Sequence, residues 1–263
     1  MITFPDDVKA AYSRSKNIIR KTPLDHSPAL SNIIDGDVYL KLDNIQKTGS
    51  FKFRGAISKM TSLNEKQRKR GVVTASTGNH GAAVSLGMKI LGINGSIIVP
   101  ENIAPNKVEN IKNLGGTVEY YGNDCLEAEQ RAQEISVTTG AIYISPYNDP
   151  VIVAGQGTMG VELDEDLSNI DTVIVAVGGG GLISGIGGYL KTVQPKVEMV
   201  GCSPKNSCVM YESLQAGKIL DLPSKPTLSD GTAGGIEENS ITFEICKKII
   251  SDFVLLTEDE IAA

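Results

Sequence analysis

Apolar residues recur along this chain at two spacings, one helical and one extended. Over residues 5–20, Val8, Ala11, Tyr12, Ile18 and Ile19 fall on one helical side. Thr22-Pro23-Leu24 then imposes an extended segment, because a residue before proline avoids the helical region. VYLKLD (38–43) reads as a strand, and Ser62-Leu63-Asn64-Glu65 has the spacing of a capping box that starts a short basic helix ending at Gly71. From there an alternation sets in. GVVTAS (71–76), GSIIVP (95–100), GTVEYY (116–121) and AIYISP (141–146) are strand-like, and the segments 79–91, 105–114 and 126–138 between them are helical. Pro105 suits a first helical turn, Gly115-Gly116 a helix end, and Asp124 through Glu127 a second capping box.

The second half has the same grammar. A helical stretch at 155–163 precedes TVIVAV (172–177), a run apolar enough for a strand buried on both faces. Four glycines follow, then a helix from LISGIGGYLK, a strand at 197–202, a flexible DGTAGG loop at 230–235, a helix at 241–250 and a strand at 253–256. Strands alternating with helices predict an α/β chain with two open, twisted, mostly parallel sheets and flanking helices. The expected division is a large domain from 1–70 and 147–263, with a smaller mobile domain at 71–146. Thr257 to Glu260 forms a capping box that opens a helix just before Ala263, so the C-terminal part of the fold is expected to be missing.

Composition narrows the function. A chain of 263 residues can bury a large core. A net charge of −6 argues against a nucleic-acid partner. The opening MITFPDDVKAAYSRSK lacks the apolar core of a signal peptide, and nothing approaches a membrane span, so a cytoplasmic protein is expected. Cys125, Cys202, Cys208 and Cys246 form no C-x-x-C pair, and with only His26 and His80 beside them no Cys/His metal cage is expected.

Three stretches carry chemistry. In NIQKTGSFKFRGA (44–56), Lys52 stands between Phe51 and Phe53. Aromatic surroundings disfavour an ammonium, and a neutral lysine amine captures aldehydes as Schiff bases. The same alternation fits a half-exposed strand with Lys52 in water. The second stretch is Gly178, Gly179, Gly180 and Gly181 between a strand and a helix. Consecutive glycines let N–H groups converge on an anion at a helix N-terminus, and four exceed what a tight packing corner needs, so a phosphate is the expected guest. A P-loop lacks its lysine and hydroxyl here. A dinucleotide fold lacks its third glycine, at Ile183, and its acid, at Ser203. The third stretch, Ser76-Thr77-Gly78-Asn79-His80-Gly81, closes a strand and opens a helix. It fits either a carboxylate cradle or a routine helix cap, with His80 read as a structural hydrogen-bonding residue. An imine-forming lysine, a phosphate cradle and a carboxylate turn together point to pyridoxal 5'-phosphate, and that combination decides against the solvent-exposed reading of Lys52.

SFKFRGA, STGNHGAA, AGQGTMGVEL and VGGGGLISG occur in one order that spans nearly the whole chain. Together they resemble the fold-type II pyridoxal-phosphate enzymes of the threonine/serine dehydratase and serine racemase group, whose fold is tryptophan synthase β-like. The resemblance implies that Lys52 carries the cofactor as a Schiff base and then acts as the catalytic base, with Phe51 packed beside the ring. It implies that Asn79 hydrogen-bonds the phenolic oxygen and that Gly178, Gly179, Gly180, Gly181 and Leu182 bind the phosphate. Ser76, Thr77, Gly78, Asn79 and His80 would hold the substrate carboxylate, and the 71–146 domain would close over it. The implied reaction is dehydration of L-threonine, L-serine or a related 3-hydroxyamino acid to a 2-oxo acid and ammonia, by a homodimer. An amino acid racemase and a non-catalytic phosphate- or nucleotide-binding protein are the alternatives. Three features depart from the group. Thr77 replaces the serine of the racemases, Ser203 replaces a glutamate that binds a divalent cation, and no partner for the pyridine nitrogen occurs before Ala263.

Overall fold

The structure is a computed structural model and describes residues 2–263. Helix α1 (Asp6–Ser15) opens with Asp6 and Asp7 in its first turn, where the helix dipole favours negative charge. Strand β1 (Leu24–His26) follows Pro23, and Ser27 caps α2 (Pro28–Ile34) by accepting from the Leu30 amide. Strand β2 (Tyr39–Lys41) returns antiparallel to β1. Next come α3 (Lys52–Ser62), α4 (Glu65–Arg70), β3 (Val72–Ala75), α5 (Asn79–Leu91), β4 (Gly95–Val99), α6 (Pro105–Asn113), β5 (Val118–Tyr120), α7 (Cys125–Thr139) and β6 (Ile142–Tyr143). The second half contains α8 (Pro150–Asp166), β7 (Thr172–Ala176), α9 (Gly181–Val193), β8 (Glu198–Pro204), α10 (Val209–Ala216), α11 (Ile241–Ile249), β9 (Ile250–Leu256) and α12 (Glu258–Ala262).

Two helix starts fall where the sequence's cap chemistry puts them. Asp124 accepts from the Glu127 amide at 2.9 Å, and Thr257 with Glu260 makes a reciprocal box at the start of α12. The cap of α4 lies elsewhere. Asn64 and Gln67 exchange side chain-to-amide bonds at 2.9 Å each, while the Ser62 hydroxyl donates to the Lys59 carbonyl. Helix α3 runs through Ser62, so that residue is still inside one helix when the next begins.

Two compact units divide the chain: Arg14–Ile144, and the residues up to Ser13 together with Ser145–Ala263. The first holds a parallel sheet in the order β5-β4-β3-β6. Its central strands are buried on both faces, as parallel strands between helices must be. Neighbouring Ile97 and Ile98 of β4 are both fully buried. Ile98 packs with Val73 against Ala128 and Ala132 of α7, and Ile97 lies close to Gly81 of α5. The second unit holds the parallel sheet β7-β8-β9. Here α8 and α9 touch backbone to backbone, since a Cβ on Gly157 would lie 2.8 Å from the Gly185 carbonyl oxygen. Gly157 and Gly160 of AGQGTMG, the latter 3.3 Å from the Ile186 carbonyl oxygen at an added Cβ, therefore serve helix packing.

One strand departs from the sequence reading. TVIVAV was expected to be buried on both faces, yet Thr172, Ile174 and Ala176 are exposed, Ile174 at 70%. β7 stands at the edge of its sheet, so only alternate residues such as Val175 turn into the core.

Helix α3 is fixed by a buried ion pair. The Arg54 guanidinium, fully enclosed, donates to both Asp43 carboxylate oxygens at 2.8 and 2.7 Å and to the Thr22 hydroxyl at 3.2 Å. Thr22 in turn donates to Asp43 at 2.7 Å. Removing one partner strands the other charge in a low-dielectric interior. Asp43→Ala is expected to lower the unfolding free energy by about 3–5 kcal/mol in urea titration, whereas a loss below about 1 kcal/mol would show that the pair does not anchor α3.

Candidate active site

The lysine stretch belongs to the Arg14–Ile144 unit. After β2 the chain makes a short 3-10 turn, Asp43–Ile45, and the Gln46 side chain bridges the Arg20 amide and carbonyl at 2.9 and 2.8 Å. Gly49 takes a left-handed φ of +74°, which suits glycine, and donates to the Gln46 carbonyl. The chain is thus turned so that Lys52 is the first residue of α3, and the F-K-F alternation is not a strand. Phe53 is fully buried, while Lys52 Nζ lies 5.4 Å from the Phe51 ring centroid. The Lys52 side chain keeps part of its surface open, yet desolvation lowers its pKa from 10.5 to about 8. The positive end of α3 opposes a cation at the same place. Beside it, the buried hydroxyls of Thr48 and Ser50 have no hydrogen-bond partner among the described residues.

The β3–α5 turn is in the same unit. Its helix-cap reading does not hold, because no side chain among the described residues caps α5. Ser76 instead accepts from the Gly78 amide at 3.2 Å, and the side chains of Thr77 and Asn79 make no hydrogen bond among the described residues. A Cβ on Gly78 would meet nothing within 4 Å, so the helix start faces open space. Uncapped N–H groups at a helix N-terminus are the donors that an anion needs. His80 is buried, and its Nε2 lies 2.9 Å from the Ile144 carbonyl oxygen, so Nε2 carries the proton in that bond. Burial first, and then the charge of Lys52, push its pKa down to about 3, against a raising contribution from Ile144. His80 is therefore a neutral structural histidine, as its sequence context suggested. Its dependence on Lys52 also shows that the structure brings the lysine and this turn together.

The glycine stretch lies in the other unit. β7 leads through Val177 into Gly178, Gly179 and Gly180, and α9 starts at Gly181. All four glycines are closely packed. An added Cβ would lie 2.6 Å from the Thr232 carbonyl oxygen at Gly178, 2.6 Å from the Tyr147 ring at Gly179, 2.8 Å from Met210 at Gly180 and 3.0 Å from Tyr147 at Gly181. Packing alone thus accounts for the four glycines, contrary to the view that four exceed its need. The anion reading rests on something else. Among the described residues, no protein acceptor takes the N–H of Gly178, Gly179, Gly180, Gly181 or Leu182. Gly180 has φ +78° and turns the chain into α9. Sequence reasoning missed two supports of this loop: Tyr147, and Thr242, whose hydroxyl donates to the Gly179 carbonyl at 2.6 Å. Neither belongs to a spacing pattern, and Thr242 lies 63 residues from its partner. The Ser203 hydroxyl is committed to the Val177 carbonyl at 2.5 Å.

The profile of the family described as pyridoxal-phosphate dependent enzyme matches residues 16–263. The chain belongs to that family. It is 44% identical over 262 residues to an L-threonine ammonia-lyase of Thermotoga maritima, covering 100% of this chain and 65% of that protein. It is 38% identical over 256 residues to the catabolic L-threonine dehydratase TdcB of Escherichia coli, covering 97% and 78%. Among solved structures, a maize serine racemase superposes with a TM-score of 0.92 at 33% identity, covering 97% of this chain and 77% of that one. The chain therefore spans about two thirds of the length of the ammonia-lyase it matches.

The residues present fit the family's cofactor. An amine with a pKa of about 8 suits an aldehyde, the unpaired N–H groups of 178–182 suit a phosphate, and the unengaged Asn79 amide suits a ring oxygen. The fold is that of the fold-type II group.

The lowered pKa of His80 has a consequence for acid stability. Its folded value lies below the ordinary 6.5, so the unfolded chain binds the extra proton as pH falls. Stability is expected to drop between pH 6.5 and about 3, with a contribution of up to about 1.4 kcal/mol per pH unit from this residue. His80→Gln keeps an N–H for Ile144 but takes up no proton, so unfolding titrations across that window should show a shallower fall. Equal slopes in both proteins would contradict the assignment.

Proposed function

We propose that this protein is a pyridoxal-phosphate dependent hydroxyamino acid dehydratase that converts L-threonine, L-serine or a related 3-hydroxyamino acid to a 2-oxo acid and ammonia. The observation that carries this reading is the desolvated Lys52 amine beside the uncapped β3–α5 turn, since one fold unit then offers a base and a carboxylate site together. The names of the ammonia-lyase and dehydratase relatives support the substrate class.

When bound, the cofactor supplies an electron sink that stabilises negative charge at the substrate α-carbon. The rest falls to the chain. Lys52 Nζ would hold the cofactor through its aldehyde and, as a free amine, would take the α-proton as general base, for which a pKa of about 8 is well matched to near-neutral pH. Phe51 would pack beside the ring, and Asn79 would donate to its oxygen. The N–H groups of Gly178, Gly179, Gly180, Gly181 and Leu182 would hold the phosphate. The turn of Ser76, Thr77, Gly78, Asn79 and His80 holds the substrate carboxylate, His80 through its backbone because its ring is engaged. The β-hydroxyl then leaves with the proton as water, and the released unsaturated amine hydrolyses to 2-oxo acid and ammonia. The 71–146 block is the part that closes over the substrate, and the working form is a cytoplasmic homodimer.

The test has two readouts. Added pyridoxal phosphate should give a visible band, and after borohydride reduction its mass should be found on the Lys52 peptide; Lys52→Ala should show neither. With L-threonine or L-serine, 2-oxo acid should form, and Lys52→Ala should slow it by roughly 10³-fold or more. Solvent hydrogen at the α-carbon with accumulation of the opposite enantiomer and no 2-oxo acid would make the enzyme a racemase. A colourless protein with no reduced adduct would overturn the reading.

A further inference from the structure

We propose that Thr242 is a positioning residue that locks the glycine loop in the orientation able to receive a phosphate, with Ser240 holding Thr242 in turn. The inference rests on the reading of residues 178–182 as the phosphate cradle. Proton counting fixes the direction of this relay. A carbonyl only accepts, so the single proton of the Thr242 hydroxyl goes to the Gly179 oxygen, 2.6 Å away. In the Ser240–Thr242 contact at 2.7 Å the donor is then Ser240. Ser240 stands at the N-cap position of α11 in an extended conformation, where a serine would ordinarily cap the helix, yet it makes no capping bond. Asn148 serves the helix start instead, accepting from the Ile241 amide at 2.9 Å. Both hydroxyl residues are buried, Thr242 completely.

The effect on the loop follows from peptide geometry. The Gly179–Gly180 peptide is trans, so its C=O and N–H point in opposite directions. Tying the Gly179 oxygen to α11 turns the Gly180 N–H to the other side of the loop. With glycine at both ends, the backbone dihedrals themselves put little penalty on a flip of this peptide. A flip would present a carbonyl oxygen where the cradle needs a donor. Thr242 opposes that flip.

The experiment compares equilibrium binding of pyridoxal phosphate and of pyridoxal, which lacks the phosphate, to the 263-residue chain and its variants. Thr242→Val keeps the shape and removes the hydroxyl, and Thr242→Ser restores it. The valine variant should bind pyridoxal phosphate about tenfold more weakly with pyridoxal binding unchanged, and the serine variant should recover to within about threefold of the parent. If the valine variant does not fold, Ser240→Ala removes only the second hydroxyl and should weaken pyridoxal phosphate alone, by about threefold. Should the parent bind both molecules equally, the phosphate-cradle reading itself fails. A parent that discriminates and a variant that retains the full discrimination would overturn the role of Thr242 alone, as would equal weakening toward both molecules.

Discussion

The structure depends on keeping one amine poorly solvated. Lys52 is placed at the first position of a helix, against the Phe51 ring, in surroundings that lower its pKa to about 8. Folding works against the charged form there. Because the folded value lies below the ordinary 10.5, the unfolded chain binds more protons between pH 8 and 10.5, so the penalty is full below pH 8 and fades as pH rises through that window. A site that disfavours its own ground state needs a stiff frame. The Arg54–Asp43–Thr22 cluster provides it two residues along α3, and the Gln46 clasp fixes the preceding turn. His80 adds to the same economy of charge by staying neutral and giving its ring proton to Ile144.

The glycine loop answers the opposite requirement. It must hold donors unpaired, and unpaired backbone N–H groups are costly unless a ligand meets them. The chain supports the loop from outside through Tyr147, whose ring covers Gly179 and whose Cβ and backbone lie against Gly181, and through the hydroxyl of Thr242. Packing thus calls for glycine here, and the proposed binding would call for it at the same positions for a different reason. Protein atoms fill one side of the loop, and the N–H groups are the donors that the proposed phosphate would take.

Much of this was legible in the residues. The βαβ alternation after Gly71, the cap at Asp124 and the box at Thr257 follow from local chemistry, and the structure has them; α5 starts at Asn79 as its pattern predicts, though without a side-chain cap. Other features depend on partners far along the chain. TVIVAV is apolar throughout, and nothing local says that β7 ends its sheet and leaves Ile174 exposed. Helices α2 and α10 are seven and eight residues long, too short for a periodic signal. Ser62 and Asn64 both start plausible caps, and the end of α3 decides between them. The Lys52 stretch shows the same limit in reverse. F-K-F is compatible with an exposed strand, and only the motifs downstream argued otherwise. Thr242 could not be found at all, because a hydroxyl acting on a carbonyl 63 residues away leaves no pattern.

The most direct test is the titration of the Lys52 amine itself. Brief labelling of the cofactor-free protein with an amine acylating reagent across pH, read by mass spectrometry of the Lys52 peptide, gives the fraction deprotonated at each pH. A midpoint near 8 is predicted, well below that of exposed lysines in the same digest. A midpoint near the ordinary 10.5 would contradict the claim that the fold holds this amine ready for an aldehyde.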